Sequence, residues 1–186
     1  MFTKTLPFPY QWQGISAGHT DYLFAYYEIE REFRRRTPEF QASTKGGSHN
    51  RRVQLELTKL YITGTLTSCC YIEATVNFVG VTQVGQKYYE EVMESLSTIK
   101  KIELLHLLVK KEIVIEKGHE YKLIKSLIKK RDEIVHPKAK ERSEGMVAMH
   151  GLVESLENEF KEMDAALIAF RDYIVTLEPL AGLGVV

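Results

Sequence analysis

The sequence predicts an all-α fold, an antiparallel up-and-down helical bundle carrying an N-terminal extension. Two observations predict it. Apolar residues recur at helical spacing in several long stretches, and short segments rich in glycine, proline and small polar residues separate them. Helices joined in that way pack as a bundle. Neither an internal repeat nor a low-complexity tract interrupts the pattern.

Residues 1–20 hold Pro7, Pro9, Gly14 and Gly18 and read as an irregular arm. Asp21 to Arg36 reads as a helix capped by Thr20, with Leu23, Tyr26, Tyr27, Ile29 and Phe33 along one side. The aromatic density of Tyr22–Tyr27 leaves a strand open as a second reading. Pro38 and the run Thr44–Lys45–Gly46–Gly47–Ser48 are expected to break the chain. That run is no phosphate-binding loop, because no Lys–Ser or Lys–Thr follows the second glycine at the required place. The division expected is therefore an extension over 1–50 and a bundle over 51–186.

Val53 to about Val79 is the longest periodic segment, carrying Leu57, Leu60, Tyr61, Ile72, Val76 and Val79. Gly80–Gly85 reads as a turn. Helices are expected over Gln86–Leu96 and over Ile99–Val109, the latter carrying Ile102, Leu105, Leu108 and Val109. Glu112–Lys117 is ambiguous. His119–His136 is strongly amphipathic through Leu123, Ile124, Leu127, Ile128, Ile134 and Val135, and Pro137 stops it by excluding helical geometry from the residue before it. A last helix, Gly151 to about Leu177, turns Leu152, Leu156, Phe160, Met163, Leu167 and Phe170 to one face.

The 186 residues suffice for one core. With 44% hydrophobic and 27% charged residues the composition is that of a globular chain. A formal net charge of zero gives no global pull toward nucleic acid or an anionic membrane. Charge is nonetheless segregated: Tyr121–Lys140 is basic, and the chain from Gly151 onward is acidic. The two segments either offer a polar face to a partner or neutralise each other within the fold. Adjacent Cys69 and Cys70 fit no zinc spacing and would form a strained bridge, so both are expected to be reduced core residues. Leu60–Val81, the most apolar stretch, contains Glu73, Asn77 and several threonines, as a buried helix would and a membrane span would not. The expectation is a soluble, cytoplasmic protein without a signal peptide, since two prolines interrupt Met1–Tyr10.

The chemistry concentrates in Lys129–Lys130–Arg131–Asp132–Glu133–Ile134–Val135–His136–Pro137–Lys138. Asp132 and His136 are one helical turn apart and share a face. Arg131 and His136 are rotated by roughly 140° from each other on an ideal helix. The carbonyl end of the helix dipole and Asp132 both favour a charged imidazolium at His136, suiting it to hold and deliver a proton. The planar fork of Arg131 suits a phosphate. Proton transfer beside a phosphate clamp, without metal ligands, fits transesterification of RNA, in which the ribose 2′-hydroxyl attacks the neighbouring phosphate. Basic residues and a histidine before proline are equally the ordinary ending of a helix.

Arg131 to Pro137 resembles the signature of the HEPN superfamily: an arginine and a histidine separated by four to six residues, with a polar neighbour after the arginine. That neighbour is most often asparagine; here it is Asp132. Ser68–Asn77 resembles the long first helix of several HEPN families, with its glutamate–alanine pair (Glu73, Ala74) and an asparagine (Asn77). The resemblance runs from about Arg51 to the C-terminus. It implies a helical bundle and a homodimer in which two motifs face one cleft. It further implies metal-independent endoribonuclease activity in toxin–antitoxin, defence or RNA-processing roles. Arg131 would contact the scissile phosphate, His136 would handle protons, and Asp132 would orient the site. No cofactor is expected; the expected partners are RNA, a second copy and an antitoxin or other protein, and no membrane.

Other residues carry weaker expectations. Glu73 and Asn77 share a face of an apolar helix, so Glu73 either pairs with Arg131, supported by Asn77, or sits at a wet edge. Lys129, Lys130 and Lys138 are candidate RNA contacts by charge alone. Arg34, Arg35, Arg36, Arg51 and Arg52 are basic points offset by Glu28, Glu30 and Glu32. The aromatics Phe8, Tyr10, Trp12, Tyr22, Phe24, Tyr26 and Tyr27 either stack bases or anchor the arm to the bundle or a second subunit. The remaining histidines are scattered, with no pair at metal-ligand spacing. Two other functions stand beside the nuclease: a non-catalytic module of the same type that binds RNA, a nucleotide or a protein, and a helical scaffold without a nucleic-acid role.

Overall fold

The computed structural model describes residues 18–45, 51–111, 118–136 and 149–177, and these are helical apart from short turns. The arm before Gly18, the ambiguous Glu112–Lys117, and Pro137 and Lys138 lie outside the described residues. In chain order the helices are α1 (Gly18–Lys45), α2 (Arg51–Val84), α3 (Gln86–Tyr88), α4 (Thr98–Lys110), α5 (His119–Val135) and α6 (Met149–Leu177). A π-helical turn, Tyr89–Met93, continues α3.

Helix α1 corrects the sequence reading at Pro38. Its helix runs through Pro38 to Lys45, where a break was expected at the proline. A proline inside a helix removes one hydrogen bond and crowds the preceding turn, at a cost of about 3 kcal/mol. Packing on both sides of it opposes that cost. Phe33, Thr37 and Phe40 are all buried, and the Thr37 hydroxyl donates to the Phe33 carbonyl at 2.9 Å. These residues also place α1 inside the packed unit: Leu23, Tyr26, Phe33 and Phe40 share one cluster with Leu57 and Ile72 of α2 and Phe160 and Phe170 of α6. Residues of α1 thus share one core with α2 and α6.

Contacts at both ends of the long helices fix their directions. α1 and α2 are antiparallel, since Arg36 pairs with Glu56 while His19 stacks on Phe78 at 5.5 Å. α1 also runs antiparallel to α6, with Tyr26 bonded to Asp164 and Phe33 stacked on Phe160 at 4.2 Å. α2 and α6 instead lie side by side in the same direction, as the successive contacts Tyr61–Glu159, Thr65–Met163 and Tyr71–Phe170 show. Simple up-and-down alternation therefore does not hold for every neighbouring pair. α5 completes the bundle against α6 and against α2, where the Cys69 thiol donates to the Leu127 carbonyl at 3.7 Å.

The turn expected over Gly80–Gly85 contracts to Gly85, whose φ of 82° only glycine adopts at low cost. Gly80 stays helical for a different reason. A Cβ there would lie 2.9 Å from two ring carbons of Tyr89, so its lack of a side chain is what lets that ring pack on α2. No described helix is long and apolar enough to cross a membrane.

Candidate functional site

The amphipathic pattern of α5 decides how its last turns are presented. Tyr121, Ile124, Leu127 and Ile128 are buried, which anchors one face and leaves Lys122, Lys125, Ser126, Lys129, Asp132, Glu133 and His136 exposed. His136 closes the helix. Its backbone N–H donates to the Asp132 carbonyl at 2.8 Å, and its φ of −121° and ψ of 65° carry the chain out of helical geometry.

Arg131 sits at the border between core and solvent, its side chain 30% exposed. Its Nε lies 2.9 Å from Asp132 Oδ1, yet this buried N–H finds no hydrogen-bond acceptor among the described residues. The two findings are compatible: adjacent helical residues diverge by about 100°, so the carboxylate comes close while standing off the N–H axis. Charge attraction is retained and the directional bond is not.

The charge of Arg131 acts on the two cysteines of α2. Burial pushes the Cys69 thiol up to about 12, against an opposing pull from Arg131. Cys70 is also raised, by burial and by Glu73, with Arg131 again drawing it down. Arg131 and Glu73 therefore act on the same two thiols and lie on one side of the bundle. The carboxylate at ion-pair distance from Arg131 is nevertheless that of Asp132. Glu73 is half-buried. Both cysteines are free; Cys69 is buried as expected, but Cys70 is exposed, because the one-residue step turns it off the packed face.

Asn77 stands elsewhere. Its Oδ1 accepts from Tyr89 Oη at 2.6 Å and from Lys101 Nζ at 2.9 Å, and Lys101 also donates to Tyr89 Oη at 3.0 Å. Lys101 is 4% exposed, and its ammonium lies 5.4 Å from the centre of the Tyr89 ring. Asn77 thus serves a buried polar triad linking α2, the π-helical turn and α4. This network escaped the sequence reading, although a signal for it exists. Thr98, Lys101, Ile102 and Leu105 stand at i, i+3, i+4 and i+7, so a lysine occupies a core position of α4.

The basic candidates separate by their surroundings. Lys130 reaches across to α6 at a partly solvated position, bonded to Glu159 and, at 2.6 Å, to Glu162. Burial alone would depress its ammonium, but those hydrogen bonds outweigh burial and hold it above the usual lysine value. Lys130 therefore joins α5 to α6 and is not presented to a ligand. Lys129 is 78% exposed, with Glu133 at 3.7 Å. Of the N-terminal aromatics, Tyr26 is fully buried and donates to Asp164 at 2.6 Å, which makes it an anchor; Tyr22 and Phe24 are exposed. Among the described residues no three histidine, cysteine or carboxylate side chains gather as a metal site. Comparison with protein families, curated proteins and solved structures finds no match to the chain.

Proposed function

We propose that this protein is a metal-independent endoribonuclease of HEPN type that acts as a homodimer. The observation that carries the reading is the pairing, at one end of α5, of a part-buried guanidinium with an exposed imidazole five residues on. Helical rise separates the two backbone positions by roughly 8 Å along the axis, a span that an arginine side chain and a phosphodiester can bridge.

In the proposed reaction the 2′-oxygen forms a bond to phosphorus as the bond from phosphorus to the 5′-oxygen breaks. One proton leaves the 2′-hydroxyl and one reaches the departing 5′-oxygen. The products carry a 2′,3′-cyclic phosphate and a 5′-hydroxyl. Arg131 neutralises charge building on the non-bridging oxygens, and His136 moves a proton. One imidazole cannot act as base and acid in the same instant. A two-fold axis that brings a second motif to the cleft would supply the other proton carrier. Toxin, defence or RNA-processing roles, with an antitoxin or other protein as regulator, belong to this reading.

One observation favours a second reading. Asp132 stands where the motif most often has asparagine, and its carboxylate lies 2.9 Å from Arg131, in competition with phosphate for the guanidinium. A module that binds RNA, a nucleotide or a protein without cutting fits that pairing. Incubation of the pure protein with RNA in the presence of chelator separates the readings. Cleavage that survives chelator and is lost in His136→Ala supports the nuclease, whereas binding without cleavage supports the module.

A further inference from the structure

A cavity of about 330 Å³ opens between α1 and α6, and Phe33, Arg34, Pro38, Glu157, Phe160 and Lys161 are among the residues that line it. That volume lies near the small end of the range for ligand pockets, roughly 300–1,000 Å³, and suits one small molecule. Phe33 and Phe160, stacked at 4.2 Å, give it an aromatic floor. Three polar groups are available on its walls. Glu157 and Lys161 stand at i and i+4 on α6, the order in which a glutamate and a lysine attract each other, yet among the described residues neither is in an ion pair. The third group is the Arg34 carbonyl. It points along α1 toward residue 38, where proline has no N–H to receive it. The Arg34 guanidinium, by contrast, is engaged: its Nε donates to Glu30 at 2.6 Å, and a terminal nitrogen lies 3.5 Å from Asp164.

From these groups we infer that the cavity binds a free α-amino acid with an apolar side chain, at a site that shares no lining residue with the end of α5. A carboxylate, an ammonium and a carbonyl without its helical donor together call for a ligand that bears both charges. The ligand's α-ammonium donates to Glu157 and to the Arg34 carbonyl, and its α-carboxylate accepts from Lys161. Spacing selects the size. Residues one turn apart are offset by roughly 6 Å along the helix axis. Charge-assisted hydrogen bonds of about 2.8 Å on either side close that gap around a zwitterion whose two charged groups share one carbon. A dipeptide holds its ends too far apart. The apolar side chain then rests on the aromatic floor, away from water.

The test follows backbone amide shifts of the full isotope-labelled chain as L-phenylalanine, phenethylamine (no carboxylate), hydrocinnamate (no ammonium) or glycyl-phenylalanine is added. L-Phenylalanine should give saturable shifts at Arg34, Gln41 and Lys161. Each of the other three should bind roughly five-fold more weakly or worse, the effect of one partly solvated charge contact. Glu157 and Lys161 lie outside the core, so their variants are expected to fold. Lys161→Gln should weaken L-phenylalanine about five-fold and leave phenethylamine unchanged, whereas Glu157→Gln should weaken L-phenylalanine and leave hydrocinnamate unchanged. Pro38→Ala restores the N–H opposite the Arg34 carbonyl and should weaken only the ligands that carry an ammonium. Three results would each overturn the inference: no saturable shift with L-phenylalanine at millimolar concentration, analogues that bind as tightly as it does, or variant losses that do not follow the missing charge.

Discussion

Replacing Asn77 by alanine separates a structural role from a role in the site. Its Oδ1 accepts the Tyr89 hydroxyl at 2.6 Å and the Lys101 ammonium at 2.9 Å. Lys101 is 4% exposed, so its charge has given up nearly all of its water and depends on these two oxygens. A hydrogen bond to a charged group contributes about 1.5–3 kcal/mol and a neutral one about 0.5–1.5 kcal/mol. Asn77 is itself half-buried, and water entering the gap can recover part of the loss. The expected destabilisation is about 2–3 kcal/mol, near the lower end of what a broken buried charge contact costs. For a chain of this size that is a fall in Tm of roughly 5–10 °C. Urea denaturation followed by circular dichroism measures it. The same loss should shrink when Lys101→Met has already removed the ammonium, because no charge is then left without its acceptor. A coupling of about 1.5 kcal/mol or more is expected from the double-mutant cycle. Additive effects, or an Asn77→Ala chain within about 0.5 kcal/mol of wild type, an ordinary surface-substitution effect, would refute the reasoning.

Four further outcomes follow from the packing. A maleimide at neutral pH should label the native chain once, at the exposed Cys70, and twice after unfolding, because burial holds the Cys69 thiol up at about 12; mass spectrometry of tryptic peptides reads the site. Pro38→Ala should stabilise the chain by about 1 kcal/mol, since it restores an N–H to the middle of α1 while forfeiting the stiffness of proline in the unfolded state; urea midpoints check it. Lys130→Ala should cost about 1 kcal/mol in the same experiment, as Glu159 and Glu162 lose a partner at a partly solvated position. Asp164 gives a pH signature. Burial raises its carboxyl above the usual value despite the hydrogen bond from Tyr26, so the folded state binds its proton more tightly than the unfolded state. Stability contributed by this group is present below the unfolded carboxyl value of about 3.9 and falls as pH rises toward the folded value. Asp164→Asn should therefore gain on wild type in denaturation series as pH climbs through that window, and a gap moving the other way would contradict the assignment.

Much of this architecture is legible in residue spacing. The cores of α2, α4, α5 and α6 follow from apolar residues at helical intervals, and Phe160, Met163, Leu167 and Phe170 are buried together as that pattern requires. Pro38 misleads because intrinsic cost is local, whereas the burial of Phe33 and Phe40 that opposes it comes from helices distant in sequence. Gly80 misleads in the same way: a glycine that marks a turn by propensity here makes room for Tyr89. At the candidate site the one-dimensional string places Arg131 and His136 on one helix end. It cannot distinguish Lys130 from Lys129, because what separates them is the acidic face of α6, nearly thirty residues onward. Asn77 illustrates the same limit, since the phenol and the ammonium that claim it come from α4 and the π-helical turn.

A 2′-deoxy nucleotide placed at the mapped cleavage position of an RNA oligonucleotide tests the chemistry most directly, with chelator present throughout. Transesterification driven by Arg131 and His136 predicts that wild-type protein leaves this linkage whole while cutting the all-ribose strand to a 2′,3′-cyclic phosphate end, and that Arg131→Ala and His136→Ala cut neither. Scission at the deoxy position, or undiminished cutting by both variants, would contradict it.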